Sequence, residues 1–170
     1  MPPRFRVLTT RFGHLGIVGD GHGLHQLYLP QPHLDRLIEQ ILHDYPTARE
    51  DDRLLPGLID DLRRYFAGQP VEFSTPVHCD GASSFAQAAW QACRQIPYGQ
   101  TVSYRELAER IGRPGAARAV GQAMRNNPCP IVIPCHRVLR SDGSLGGYVG
   151  NCGVQIKRRL LELEATAGQA

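Results

Sequence analysis

At Ser84 the hydrophobic pattern changes period, and that change divides the chain into two differently built halves. Before it, short apolar stretches at residues 5–10, 15–18 and 24–29 are separated by turns rich in glycine, from Gly13 to Gly23. Alternation of that kind predicts a β-meander. Residues 33–43 then place apolar side chains at 34, 37, 38, 41 and 42, a helical period, and residues 54–66 repeat it before stopping at Gly68. Residues 71–77 are expected as one more strand. After Ser84 the period is helical throughout: Phe85, Ala88, Ala89, Ala92, Cys93 and Ile96 share one face, ended by Pro97-Tyr98-Gly99. Ser103 and Glu106 stand three apart in the spacing of a capping box, opening a helix to about 111 with Gly112 as its stop. Arg113-Pro114-Gly115 leads into a second helix over 116–126, and the pair reads as a helix-turn-helix. A last helix covers about 155–164, with the aliphatic part of Lys157 available for packing. The expected fold class is α+β: a domain over 1–80 with a small three-stranded antiparallel sheet and helices, then an all-α domain over 81–170.

Charge follows the same division. Residues 1–81 carry 8 basic and 11 acidic side chains, whereas residues 82–170 carry 11 basic and 5 acidic ones. A basic half suits a polyanion such as nucleic acid, although such surfaces are often simply solvated. Five cysteines, odd in number and irregularly spaced, argue against a disulfide framework and for reduced thiols. No apolar run approaches bilayer-spanning length, and MPPRFRVLTT lacks the apolar core of a secretory signal. The expected setting is cytoplasmic, with nucleoid association and no membrane.

The sharpest local feature is Pro130-Ile131-Val132-Ile133-Pro134-Cys135-His136-Arg137-Val138, an apolar run delivering a cysteine and a histidine beside a basic residue. A thiol attacks as thiolate, and a neighbouring imidazole or cation favours that form. Adjacency in sequence does not guarantee contact, and a buried free cysteine is usually a small hydrophobe, so both readings stand on these residues alone.

The segment Ile133-Pro134-Cys135-His136-Arg137-Val138 resembles the acceptor-site signature of O6-alkylguanine-DNA alkyltransferases. So do, in the same order and nearly the same spacing, Ile96 through Tyr104, Ala116-Ala117-Arg118-Ala119-Val120-Gly121, Asn127-Pro128, Gly146-Gly147-Tyr148 and the helix from Lys157 to Glu164. The resemblance is strong from Phe85 to Glu164 and weaker over the first 80 residues, where it implies a ribonuclease H-like domain. It implies irreversible transfer of an alkyl group from guanine O6, with O4-alkylthymine left open, onto Cys135. His136 would take the thiol proton through a water, Glu164 would hold His136, and Tyr104 would donate to guanine N3. Asn127 would be a hinge, and Pro134, Val138, Tyr148 and Val149 would line the pocket. Double-stranded DNA would be met in the minor groove by Ala117, Arg118, Ala119, Gly121, Tyr104 and Arg125, with Arg118 replacing a flipped-out nucleotide. The protein is expected to act as a monomer, with cooperativity on DNA left open.

Three departures from the family pattern stand out. Ala86 replaces a usual Gln, the stretch 149–153 is about two residues longer, and the first 78 residues lack cysteine. His78-Cys79 is half of a metal site at most, so no cofactor is expected, including the structural zinc that some relatives hold. Three competing readings make distinct demands, of which a plain helix-turn-helix repressor would bind a palindromic operator and leave the Cys-His-Glu set unexplained. A lesion binder without transfer usually lacks the acceptor cysteine, and a Cys-His hydrolase needs an oxyanion hole that the sequence does not display.

Overall fold

A hydroxyl turn starts the first sheet. Strands β1 (Arg4–Thr10) and β2 (Gly13–Gly19) pair antiparallel with Thr10 opposite Gly13. The Thr10 hydroxyl donates to the Gly13 carbonyl and accepts from the Phe12 N–H, closing the two-residue connection. The structure is a computed structural model and describes residues 1–149 and 153–167. It divides into two compact units, Met1–His78 and Cys79–Ala170.

In the first unit β3 (Leu24–Gln31) continues the meander on β2. Helix α1 (Leu34–Asp44) packs on β2 and β3, burying Leu37 and Ile41 against Phe5, Val18 and Tyr28. The expected three-stranded meander is present, and a two-residue strand β4 (Arg49–Glu50) adds to it, parallel to β1, giving the order β3-β2-β1-β4. Helix α2 (Pro56–Phe66) begins two residues later than its apolar pattern suggests. Leu55 takes a left-handed conformation, and Pro56, with no N–H to leave unsatisfied, opens the first turn. The strand expected over 71–77 does not form; the segment makes a single bridge, Leu24 to Val77. Pro76 has no N–H for a ladder, and it contributes only its carbonyl, which accepts from Leu24.

The second unit is helical as expected. Helix α3 (Ser84–Arg94) is capped by the Ser83 hydroxyl. After a two-residue strand β5 (Val102–Ser103), helix α4 (Tyr104–Arg110) starts on the Ser103–Glu106 capping box, with both reciprocal bonds formed. Gly112 takes φ 72°, which ends α4 at the expected place, and α5 (Ala117–Arg125) follows. Trp90 of α3 donates through Nε1 to the Ala123 carbonyl at 2.9 Å, tying α3 to α5. The all-α expectation needs one correction: β5 pairs in parallel with β6 (Val138–Leu139), joining the start of α4 to the segment after Cys135. Two-residue strands carry no readable period. Helix α6 (Val154–Ala167) is the last element among the described residues, longer than expected by a few residues at its C-terminal end. Among the described residues no helix is long and apolar enough to cross a membrane.

Candidate active site

Cys135 sits on a single 3-10 turn, Cys135–Arg137, between an irregular buried run and β6. The run holds a strained residue: Ile131, a buried β-branched side chain, takes φ 75°. That conformation costs on the order of 1–3 kcal/mol and persists only where neighbours impose it. Here Ile133 N–H bonds the Cys129 carbonyl at 2.8 Å, and Asn127 fixes both ends of the loop. The Asn127 side chain accepts from Cys129 N–H at 2.9 Å, donates to the Ile133 carbonyl at 2.8 Å and reaches Cys135 Sγ at 3.0 Å. One amide therefore links the stretch after α5 to the Cys135 thiol.

Burial dominates the thiol, pushing Cys135 up to about 11 against the opposing pull of Asn127, the Lys157 charge and Tyr148. At neutral pH it is a protonated thiol that needs a base. His136 is 0% exposed, and its Nε2 lies 2.6 Å from Glu164 Oε1. Burial holds His136 below the ordinary imidazole value despite that carboxylate. Burial alone would raise Glu164, yet His136 and Arg137 bring it down to about 2. The carboxylate is thus an ion that can only accept, so Nε2 carries the proton and the basic lone pair of a neutral His136 lies on Nδ1.

Tyr104 opens α4 with its phenol beside this turn, and burial raises its pKa, keeping it a donor. Lys157, from α6, lies beneath it. Lys157 is 1% exposed, and its ammonium donates to the carbonyls of Val138 (2.8 Å), Leu145 (2.6 Å) and Gly147 (3.3 Å) and to Tyr104 Oη (3.4 Å). Gly146 completes the fit, since a Cβ there would stand 3.2 Å from Tyr104 Oη and its φ is 69°. A cleft of about 10 Å³ over Cys135 is lined by Tyr104, Met124, Arg125, Gly147, Tyr148 and Val149. Beside it a groove of about 490 Å³ runs along α5, with Arg105, Arg118, Arg125 and Arg140 on its walls.

Residues 4–79 match the 6-O-methylguanine DNA methyltransferase ribonuclease-like domain, and residues 84–166 match the DNA-binding domain of the same family. The chain belongs to the 6-O-methylguanine DNA methyltransferase family. A methylated-DNA–protein-cysteine methyltransferase of Mycobacterium bovis is 41% identical over 167 residues, covering 98% of this chain and 94% of that one. Its Salmonella typhimurium counterpart is 50% identical over 161 residues, covering 92% of each. Among solved structures, the Mycobacterium tuberculosis protein in complex with DNA matches with TM-score 0.82 at 39% identity, over 96% of this chain and 94% of that one.

Within this family frame the structure brings together Cys135, His136, Glu164, Asn127 and Tyr104. Tyr148 and Val149 reach the cleft, and Tyr104, Ala117, Arg118, Gly121 and Arg125 line the basic groove. Ala119 is exposed on α5 but is not among the groove-lining residues. Pro134 and Val138 are buried and do not line the cleft; Val138 is fixed in the β5–β6 pairing with its carbonyl on Lys157. Most of the longer stretch, Gly150 to Cys152, lies outside the described residues.

Sequence reasoning missed Met124, Arg105 and Arg140, read Arg137 only as a basic neighbour of the cysteine, and saw only the aliphatic stem of Lys157. It also missed a cluster in the first unit, where ligand atoms of Asp20, His25 and His78 lie within 4.8 Å of one another. Asp20 Oδ1 accepts from the N–H groups of His22 and Gly23, Oδ2 faces His25 Nε2 at 3.0 Å, and His78 Nε2 stands 3.6 Å from Oδ1. Those bonds, the His22 N–H first, hold Asp20 far below the usual carboxylate range. The donors are one short of a closed tetrahedral zinc site among the described residues, and the carboxylate is already engaged by two backbone donors and an imidazole.

Proposed function

We propose that this protein repairs alkylated DNA by transferring the alkyl group of an O6-alkylguanine onto Cys135 Sγ, once per molecule. The carrying observation is the buried Cys135 thiol, held by Asn127 and set on the same 3-10 turn as a neutral His136 that Glu164 orients. The thiol proton passes to His136 Nδ1 through a water, and sulfur attacks the alkyl carbon. The carbon–O6 bond breaks, and its electrons remain on the base. Tyr104 donates to guanine N3, so the base leaves without a full negative charge in a poorly solvated site. The product is a thioether that no group at the site hydrolyses, so turnover stops there. No cofactor enters, because damaged DNA is itself the alkyl donor.

Guanine O6 lies inside the duplex, so the base must be flipped out at a cost of a few kcal/mol. The groove along α5 supplies the means: small residues Ala117 and Gly121 allow close approach to the minor groove, and Arg118 fills the vacated stack. A monomer acting in the cytoplasm on chromosomal DNA fits this reading. The test is intact mass and peptide mapping after incubation with a duplex carrying one O6-methylguanine. Transfer adds one methyl group to the Cys135 peptide and none to Cys135→Ser. Lesion binding without a mass change would support a sensor instead.

A further inference from the structure

Arg137 follows the two residues that the chemistry needs, yet no step above employs it. Its side chain is buried, and two of its three nitrogens converge on one carboxylate. Nη2 donates to Glu164 Oε1 at 2.9 Å, and Nε lies 3.0 Å from Oε2 and 3.2 Å from Oε1. Nη1 donates to the Ile96 carbonyl at 2.6 Å, and Cζ lies 5.6 Å from the Tyr98 ring centre. The same carboxylate accepts from Gly99 N–H at 3.1 Å on Oε2 and from His136 on Oε1. Glu164 is therefore held in a fixed plane by two different cations or potential cations.

The chemical consequence concerns the base. A buried carboxylate paired only with an imidazole favours the imidazolium, because an opposite charge at contact distance raises a histidine pKa. A protonated His136 could not accept the Cys135 proton. The guanidinium is a permanent charge. Placed on the same carboxylate, it cancels the field that would draw a proton to His136 while leaving an oxygen to orient Nε2–H. We propose that Arg137 is a positioning residue for alkyl transfer: it fixes Glu164 as a charge-neutralised acceptor, so that His136 is kept as a neutral imidazole with its lone pair on Nδ1.

The charged and titratable groups around His136 support this arrangement. Glu164 and Lys157 face it from α6, while Cys135 and Arg137 belong to its own turn. Tyr98, against the guanidinium, and the Cys93 thiol of α3 are raised by burial and stay neutral near pH 7. The relevant charges are then one negative, Glu164, and two positive, Arg137 and Lys157.

This inference rests on His136 as the base of the proposed reaction, and its test separates the two. The full chain is titrated without DNA by NMR of histidine Cε1, with the His136 signal assigned by its absence in His136→Gln. Single-turnover methyl transfer from an O6-methylguanine duplex is then measured from pH 5 to 9. The wild-type His136 pKa should lie below the ordinary histidine value. In Arg137→Met it should rise by about one unit or more, and the acid limb of the rate profile should move with it. The rate deficit is then largest at low pH and shrinks toward pH 9. Arg137→Lys keeps the charge and should return the limb toward wild type. An ordinary or raised His136 pKa in the wild type overturns the proposal without needing any variant to fold. An unchanged pKa in a folded Arg137→Met also overturns it. A wild type that shows the lowered pKa but transfers no methyl would instead sink the functional reading and leave the charge arrangement standing.

Discussion

Methionine in place of Lys157 removes a buried charge while keeping most of the side-chain length, and the change has a calculable pH signature. Burial brings the Lys157 ammonium down from 10.5 to about 8. In the unfolded chain the amine returns to its ordinary value. Between the two values the unfolded chain binds a proton that the folded chain has released, so this group makes stability rise with pH. Integrating the two titrations gives a gain of about 1.3 kcal/mol between pH 7 and pH 9. The buried thiols of Cys93 and Cys135 act the other way, since burial pushes both up and the unfolded chain loses those protons first. The wild type's total stability is thus a mixture, but the difference between wild type and Lys157→Met isolates the lysine. Urea unfolding followed by Trp90 fluorescence measures it, because Trp90 is the single tryptophan and lies buried on α3 in the same unit. The stability difference, wild type minus variant, should grow in favour of the wild type by about 1.3 kcal/mol from pH 7 to pH 9. A difference that does not change with pH would refute the reasoning.

Three further substitutions probe other parts of the site. Asn127→Ala removes the bonds to Ile133, Cys129 and Cys135, costing about 2–4 kcal/mol in urea unfolding; it also raises the thiol further and slows transfer in single-turnover assays. Arg118→Ala should leave urea stability unchanged but slow transfer from duplex DNA by about tenfold, while transfer from free O6-alkylguanine base is unaffected; equal losses on both substrates would remove Arg118 from the flipping step. Ser103→Ala breaks the capping box of α4 and should cost about 1 kcal/mol, measurable as a lower unfolding midpoint.

The legible part of this protein is the part whose physics is local. A capping box spans four residues, a hairpin turn two, and helical period repeats within one stretch, so the meander, α3 to α6 and the Ser103 start could be read directly. Cys135 and His136 were legible as neighbours in a recognisable segment. The two-residue strands β4, β5 and β6 were not, because they exist only through their partners.

The amino-acid sequence by itself determined the two-part architecture and the family, and it singled out the cysteine proposed as the nucleophile. Tertiary structure decided the charge state and setting of that nucleophile, because those depend on groups far apart along the chain. Arg137 reaches the Ile96 carbonyl 41 positions away, and Glu164 meets the Gly99 N–H across 65. Lys157 read as a helix residue with a useful stem; folding places its ammonium among three carbonyls beneath Tyr104. Asp20, His25 and His78 likewise converge only when residue 78 returns beside the β2–β3 turn. Burial and electrostatic fields belong to distances in space, and spacing along the sequence carries almost none of that information.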